Sequence, residues 1–99
     1  MYYAILCEDV ADSLALRQQA RPAHLERIQA LVDQGRLLAA GPHPALDAED
    51  PGDAGFTGSL IIGEFGSLVA APPRADSDPY VQAGVVSKGT VKTNNRLMP

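Results

Sequence analysis

Tryptophan is absent from this chain, cysteine occurs once, histidine twice, and aromatic residues make up only 5% of its 99 positions. Each scarcity excludes something. A single cysteine, Cys7, forms no internal disulfide. Its neighbours Glu8 and Asp9 disfavour a thiolate, so a buried, inert thiol is expected. No apolar run approaches the ~20 residues that span a bilayer. The opening residues MYYAILCEDV carry no basic segment and reach two acids too early for a secretory leader, so a cytoplasmic protein is expected. Eight Lys and Arg are scattered against twelve Asp and Glu, giving a net charge of -4 and a pI near 4.9. That balance argues against binding nucleic acid, which needs basic residues gathered in a groove or stripe. His24 and His43 lack metal-ligand spacing, with the nearest carboxylates in turns, and no nucleotide-loop or paired-cysteine motif is present. No metal and no cofactor are expected.

What the chain does contain is ordinary for a small globular domain: 45% apolar and 20% charged residues. One core is all that 99 residues support, so residues 1–99 read as a single domain. With few aromatics, burial rests on Leu, Ile, Val and Ala, and a second copy is expected to complete the apolar surface.

Tyr2 to Cys7 reads as a central strand. Asp12 or Ser13 can cap a helical segment from Leu14 to Ala20. Pro22 then predicts a break: it disfavours helical geometry in Arg21 but suits the first position of a new helix, which runs to Gln34 and stops at Gly35. On that second helix Leu25, Ile28, Leu31 and Val32 form the apolar stripe. A second strand runs from Arg36 to Pro42, with His43 to Asp47 as an irregular, exposed continuation. A polar turn from Asp47 to Gly55 leads to the clearest strand, Phe56 to Phe65, whose Gly58 and Gly63 invite close approach of a backbone or ligand. Ser67 can cap a helix from Leu68 that Pro72-Pro73 should interrupt. Asp76 to Tyr80 reads as a turn, and the last strand lies within Val81 to Val91, ahead of a polar tail. The order strand, helix, strand, strand, helix, strand predicts an α+β, ferredoxin-like βαββαβ fold with an antiparallel sheet and both helices on one face.

The chemistry candidates start with His24. In the first turn of a helix opened by Pro22, the positive end of the helix dipole would favour a neutral imidazole, which can act as a base. The alternative is a core-edge histidine satisfied by a backbone carbonyl. Asp78 is the best partner by position, since an aspartate that accepts from one ring nitrogen leaves the other basic; an Asp before Pro is equally an ordinary turn residue. Arg21 could anchor an anion, and Gly41, Pro42 and Ser59 could line a cleft on adjacent strands. Packing explains the glycines equally well.

Arg21-Pro22-Ala23-His24-Leu25, Gly35-Arg36-Leu37-Leu38 through Gly41-Pro42, Gly55-Phe56-Thr57-Gly58-Ser59 and Asp78-Pro79-Tyr80, in this order, resemble the YciI-like (YCII-domain) family over about residues 1 to 92. The resemblance implies a dimeric α+β barrel in which the sheets of two protomers face one another. It also implies a cleft centred on a histidine and an aspartate, here His24 and Asp78, with Tyr80 of the same motif among the substrate-binding residues. The wider superfamily includes muconolactone isomerase and a dehydrochlorinase of a chlorinated muconolactone. By that resemblance the expected function is acid/base chemistry of isomerase, lyase or hydrolase type on a small anionic organic molecule. The alternative is a non-catalytic metabolite-binding or protein-interaction module. Pro72-Pro73-Arg74 depart from the family pattern in the second helix.

Overall fold

The computed structural model describes residues 1–67 and 78–98. Strand β1 (Tyr2–Asp9), helix α1 (Leu14–Asp33), strand β2 (Leu37–Pro44), strand β3 (Phe56–Glu64), the short helix α2 (Pro79–Gln82) and strand β4 (Val86–Asn94) follow in order, with a 3-10 turn at Gly52–Ala54. They form a four-stranded sheet in the order β2-β3-β1-β4, with every neighbouring pair antiparallel. The expected α+β class, βαββαβ order and central first strand are all present. Among the described residues, no helix is long and apolar enough to cross a membrane.

Strand alternation decides where the core sits. Tyr3, Ile5 and Cys7 are buried on one side of β1; Ile5 pairs with Ile61 on β3 and Val91 on β4. Leu31 and the half-buried Ile28 bring α1 onto this side, and Phe65 closes it. Each aliphatic side chain buried here contributes about 1.5–3 kcal/mol. The opposite side of β1 carries Ala4 and Leu6, which pair with Ile62 and Leu60 of β3, and Leu6 remains 46% exposed.

Three expectations are corrected. First, α1 is one 20-residue helix that contains Pro22, not two segments. Pro22 removes a single backbone donor on the exposed side, and the carbonyl left without it belongs to Gln18, also exposed. The side chains at 14, 17, 21, 24, 28 and 31 step by three and four along one face, so packing holds both halves in line. The stripe is rotated accordingly: Leu31 is buried, whereas Leu25 and Val32 are each 49% exposed. Second, Asp78-Pro79-Tyr80 is a helix start rather than a turn; Asp78 caps α2 by accepting from the backbone N–H of Tyr80 and of Val81, with Pro79 in the first turn. Strand β4 therefore begins only at Val86 and continues into the tail to Asn94. Third, His43 is a half-buried residue of edge strand β2, not a loop residue. The helix expected from Leu68, the Pro72-Pro73 pair and Asp76 lie outside the described residues.

Gly58 shows why the sequence places a glycine in its best strand. A Cβ there would lie 2.2 Å from the Cys7 carbonyl oxygen, so backbone approach, not a ligand, fills the space. Gly41 has nothing within 4 Å of the same position. Gly58→Ala is expected to cost about 3 kcal/mol, the upper end of overpacking penalties. Urea denaturation against Gly41→Ala, expected within roughly 0.5 kcal/mol of wild type, checks this.

Candidate functional site

The residue that organises the site is Arg17, on the buried face of α1 and 6% exposed. Its Nε donates to Asp9 Oδ2 at 2.5 Å, and its Nη2 donates to Asp9 Oδ1 and to the Gly58 carbonyl, both at 2.9 Å. Ser13, at the N-cap position of α1, makes no capping hydrogen bond; its hydroxyl donates to Asp9 Oδ2 at 2.6 Å. Asp9 thus ends β1 with its carboxylate fully engaged. The guanidinium also lies 5.5 Å from the Phe56 ring centre and 5.1 Å from that of Tyr80.

Tyr80 is the link to the histidine. Its ring stacks on His24 with centres 4.0 Å apart and planes inclined by 8°. Val85 N donates to the Tyr80 carbonyl at 3.0 Å and Val10 N to the Val85 carbonyl at 2.8 Å, so α2 is fastened to the same end of β1 as Asp9.

A cavity of about 580 Å³ opens between α1, β2, β3 and the loop at Asp50–Asp53. Of the residues singled out from sequence, His24, Arg21, Gly41, Pro42, Ser59 and Tyr80 all line it. Asp78 does not. It is buried beside the cavity, capping α2 through Oδ1, and among the described residues no hydrogen bond joins it to His24. Asp78 meets the histidine through charge. Among the described residues, no three His, Cys, Asp or Glu side chains group as metal ligands.

His24 sits mid-helix, so the dipole argument for its neutrality does not apply. Burial does the same work: it lowers the imidazole pKa below the ordinary 6.5, with Asp78 opposing and Arg17, Arg27 and Arg21 reinforcing. Neither ring nitrogen has a hydrogen-bond partner among the described residues, and no polar side-chain atom among them is both buried and unpaired. Neither nitrogen is therefore fully buried, and no carbonyl among the described residues satisfies the ring. Cys7 is held as the thiol, though less by its neighbours than expected: burial first, then Asp78 and Asp9, push its pKa up to about 11.

Sequence reasoning missed Arg17 and Asp9. Their signal was present: Arg17 and His24 are seven residues apart on the stripe that also carries Leu31, legible only if Pro22 is allowed inside one helix. Asp9 continues the buried alternation of Tyr3, Ile5 and Cys7.

Residues 1–95 match the YCII-related domain. The chain belongs to that family. Within it, the chain is similar to Protein YciI of Escherichia coli, 60% identical over 92 residues that cover 93% of this chain and 94% of that protein. An uncharacterized protein of Haemophilus influenzae is 48% identical over the same shares of both chains. Among solved structures, 5-chloro-2-hydroxyhydroquinone dehydrochlorinase (TftG) from Burkholderia phenoliruptrix, in complex with 2,5-dihydroxybenzoquinone, has a TM-score of 0.80. It is 25% identical and matched over 96% of this chain and 94% of its own. The shared fold thus extends across nearly the whole of both molecules.

Titration of His24 followed by NMR is expected to show a midpoint below 6.5. Asp78→Asn, which keeps a capping side chain but removes the charge, should lower it further; an unchanged midpoint would show that Asp78 does not act on the ring. Because the folded pKa lies below the unfolded one, the unfolded chain takes up the extra proton. Stability is then full above about pH 6.5 and falls as pH drops toward the folded value, and thermal melts of His24→Gln should lose this slope. Cys7 should react with a thiol reagent at pH 8 only in urea.

Proposed function

We propose that this chain is a small-molecule enzyme in which His24 takes a proton from, or returns one to, an anionic organic substrate bound in the cavity. The carrying observation is an imidazole whose pKa is lowered by burial, with neither nitrogen hydrogen-bonded among the described residues, on the wall of a cavity of about 580 Å³. A base must be unprotonated at working pH and reachable, and this ring is both. Tyr80 orients it by stacking. Asp78, close enough to raise the pKa of the ring, stabilises the imidazolium formed when the proton arrives.

The cavity supports the substrate class. Leu14, Leu25, Ile28, Phe56 and Ile61 offer apolar wall, while Arg21 at its exposed edge supplies positive charge for an anion. Likeness to a dehydrochlorinase favours an isomerase or lyase type of reaction, since loss of hydrogen chloride requires a proton acceptor.

A second copy of the chain belongs to the same proposal. The side of the sheet bearing Ala4, Leu6, Leu60 and Ile62 is apolar, and no helix among the described residues covers Leu6. Two such sheets facing one another would bury that surface and give the dimeric barrel. The compartment proposed is the cytoplasm.

His24→Ala should lower turnover of a small hydroxylated acid, lactone or hydroxyquinone substrate by about 10²–10⁴-fold. Full turnover in that variant removes His24 from the chemistry, and binding without turnover by the wild type would mark a binding module. Leu6→Arg should convert a dimer to a monomer in analytical ultracentrifugation, and a wild-type monomer would refute the barrel.

A further inference from the structure

The Arg17 guanidinium has three nitrogens, and the ion pair uses two. Nε and Nη2 serve Asp9 and the Gly58 carbonyl, and the guanidinium also interacts with the Tyr80 hydroxyl, which engages at most one of the two N–H groups of Nη1. No unpaired polar side-chain atom among the described residues is fully buried, and Arg17 lines the cavity. The Tyr80 hydroxyl lines the same cavity on a residue 7% exposed; it interacts with Arg17, from which it can only accept, so its own proton is left to donate. Two side chains more than nine-tenths buried and in contact with one another therefore line the cavity beside the stacked His24 ring, each with a proton left to donate.

We propose that Arg17 Nη1 and the Tyr80 hydroxyl form an oxyanion-binding corner that fixes the anionic oxygen of a compact, largely apolar substrate next to His24. The inference rests on the reading of the cavity as the substrate site, and it names the group that holds the substrate there. Arg17 suits this role because it does not have to be ordered on binding: Asp9, Gly58 and two aromatic rings already hold it. A donor fixed beforehand and shielded from water is worth far more than a solvated one. Arg21, exposed at the edge, attracts an anion through screened charge and does not fix an atom. Close approach of the guanidinium also favours the ionised phenol of Tyr80 against the burial that raises its pKa, which places the two groups within mutual influence. Leu14, Phe56 and Ile61 give the same cavity apolar wall. The ligand expected is one anionic oxygen on an apolar body, either a ring oxyanion or a carboxylate.

Calorimetric binding of 2,5-dihydroxybenzoquinone and of benzoate to the full chain tests this, the first probing a ring oxyanion and the second a carboxylate. Wild type should bind at least one. Arg17→Lys should weaken binding by roughly 10–100-fold, the value of a charge-assisted hydrogen bond, and Tyr80→Phe by about 3–10-fold. Arg17→Lys disturbs a buried ion pair, so Tyr80→Phe, which keeps the ring stack, decides the matter if that variant does not fold. Wild-type affinity in Tyr80→Phe, loss confined to Arg21→Gln, or no binding of either probe to wild type overturns the corner. Turnover by His24→Ala reports separately on proton transfer: full turnover there with weakened binding in Tyr80→Phe would remove the base and leave the corner standing.

Discussion

The ion pair between Arg17 and Asp9 is the interaction on which the site depends. It joins the buried face of α1 to the end of the central strand, takes in the Ser13 hydroxyl and the Gly58 carbonyl, and presents a fixed guanidinium to Tyr80. Both side chains are almost wholly withdrawn from water, 7% and 1% exposed. Such a pair gains little over well-packed apolar residues, but loss of one partner costs about 3–5 kcal/mol because the other charge is left buried alone. Its value here is geometric. A helix fastened at this point cannot rotate, and the same face that carries Arg17 carries His24 two turns later.

Tyr80 passes that geometry to the histidine. The Asp78-Pro79-Tyr80 motif does three things at once: the aspartate caps α2, the proline opens it, and the tyrosine ring lies against the imidazole. Asp78 is committed to backbone N–H groups and still acts on His24 by charge, so one carboxylate serves both the local helix and the electrostatics of the site. Burial favours the neutral histidine and stacking holds it, and neither of its nitrogens is hydrogen-bonded among the described residues. That combination suits proton transfer better than a ring tied to a carbonyl.

Most of the architecture was legible because local chemistry and tertiary fold agree. The alternation around Ile5, the run Leu60-Ile61-Ile62, the polar turn before Phe56 and the stop at Gly35 each specify an element, and the order of those elements leaves few sheets to consider. Disagreement arose at prolines. Pro22 argues for a break by its missing donor, yet one lost hydrogen bond on an exposed face is outweighed by a packing stripe that runs the length of α1. Pro79 reads as turn chemistry until Asp78 is seen to cap the helix it opens. Of the residues that line the cavity, His24, Arg21, Gly41, Pro42, Ser59 and Tyr80 stood out in the sequence and Arg17 did not, because a helical arginine is usually a solvated one.

The sequence by itself determined the elements, their order and the identity of the groups able to move a proton, since propensity, periodicity and capping act over a few residues. It also pointed to an inert thiol at Cys7, although burial, not the adjacent acids, is the main cause. Only the tertiary structure decided what those groups meet. The pairing of Arg17 with Asp9, the stacking of Tyr80 on His24 and the cause of the neutral imidazole all join residues distant in the chain. Their energies depend on burial, and burial exists only once the helix has closed over the sheet.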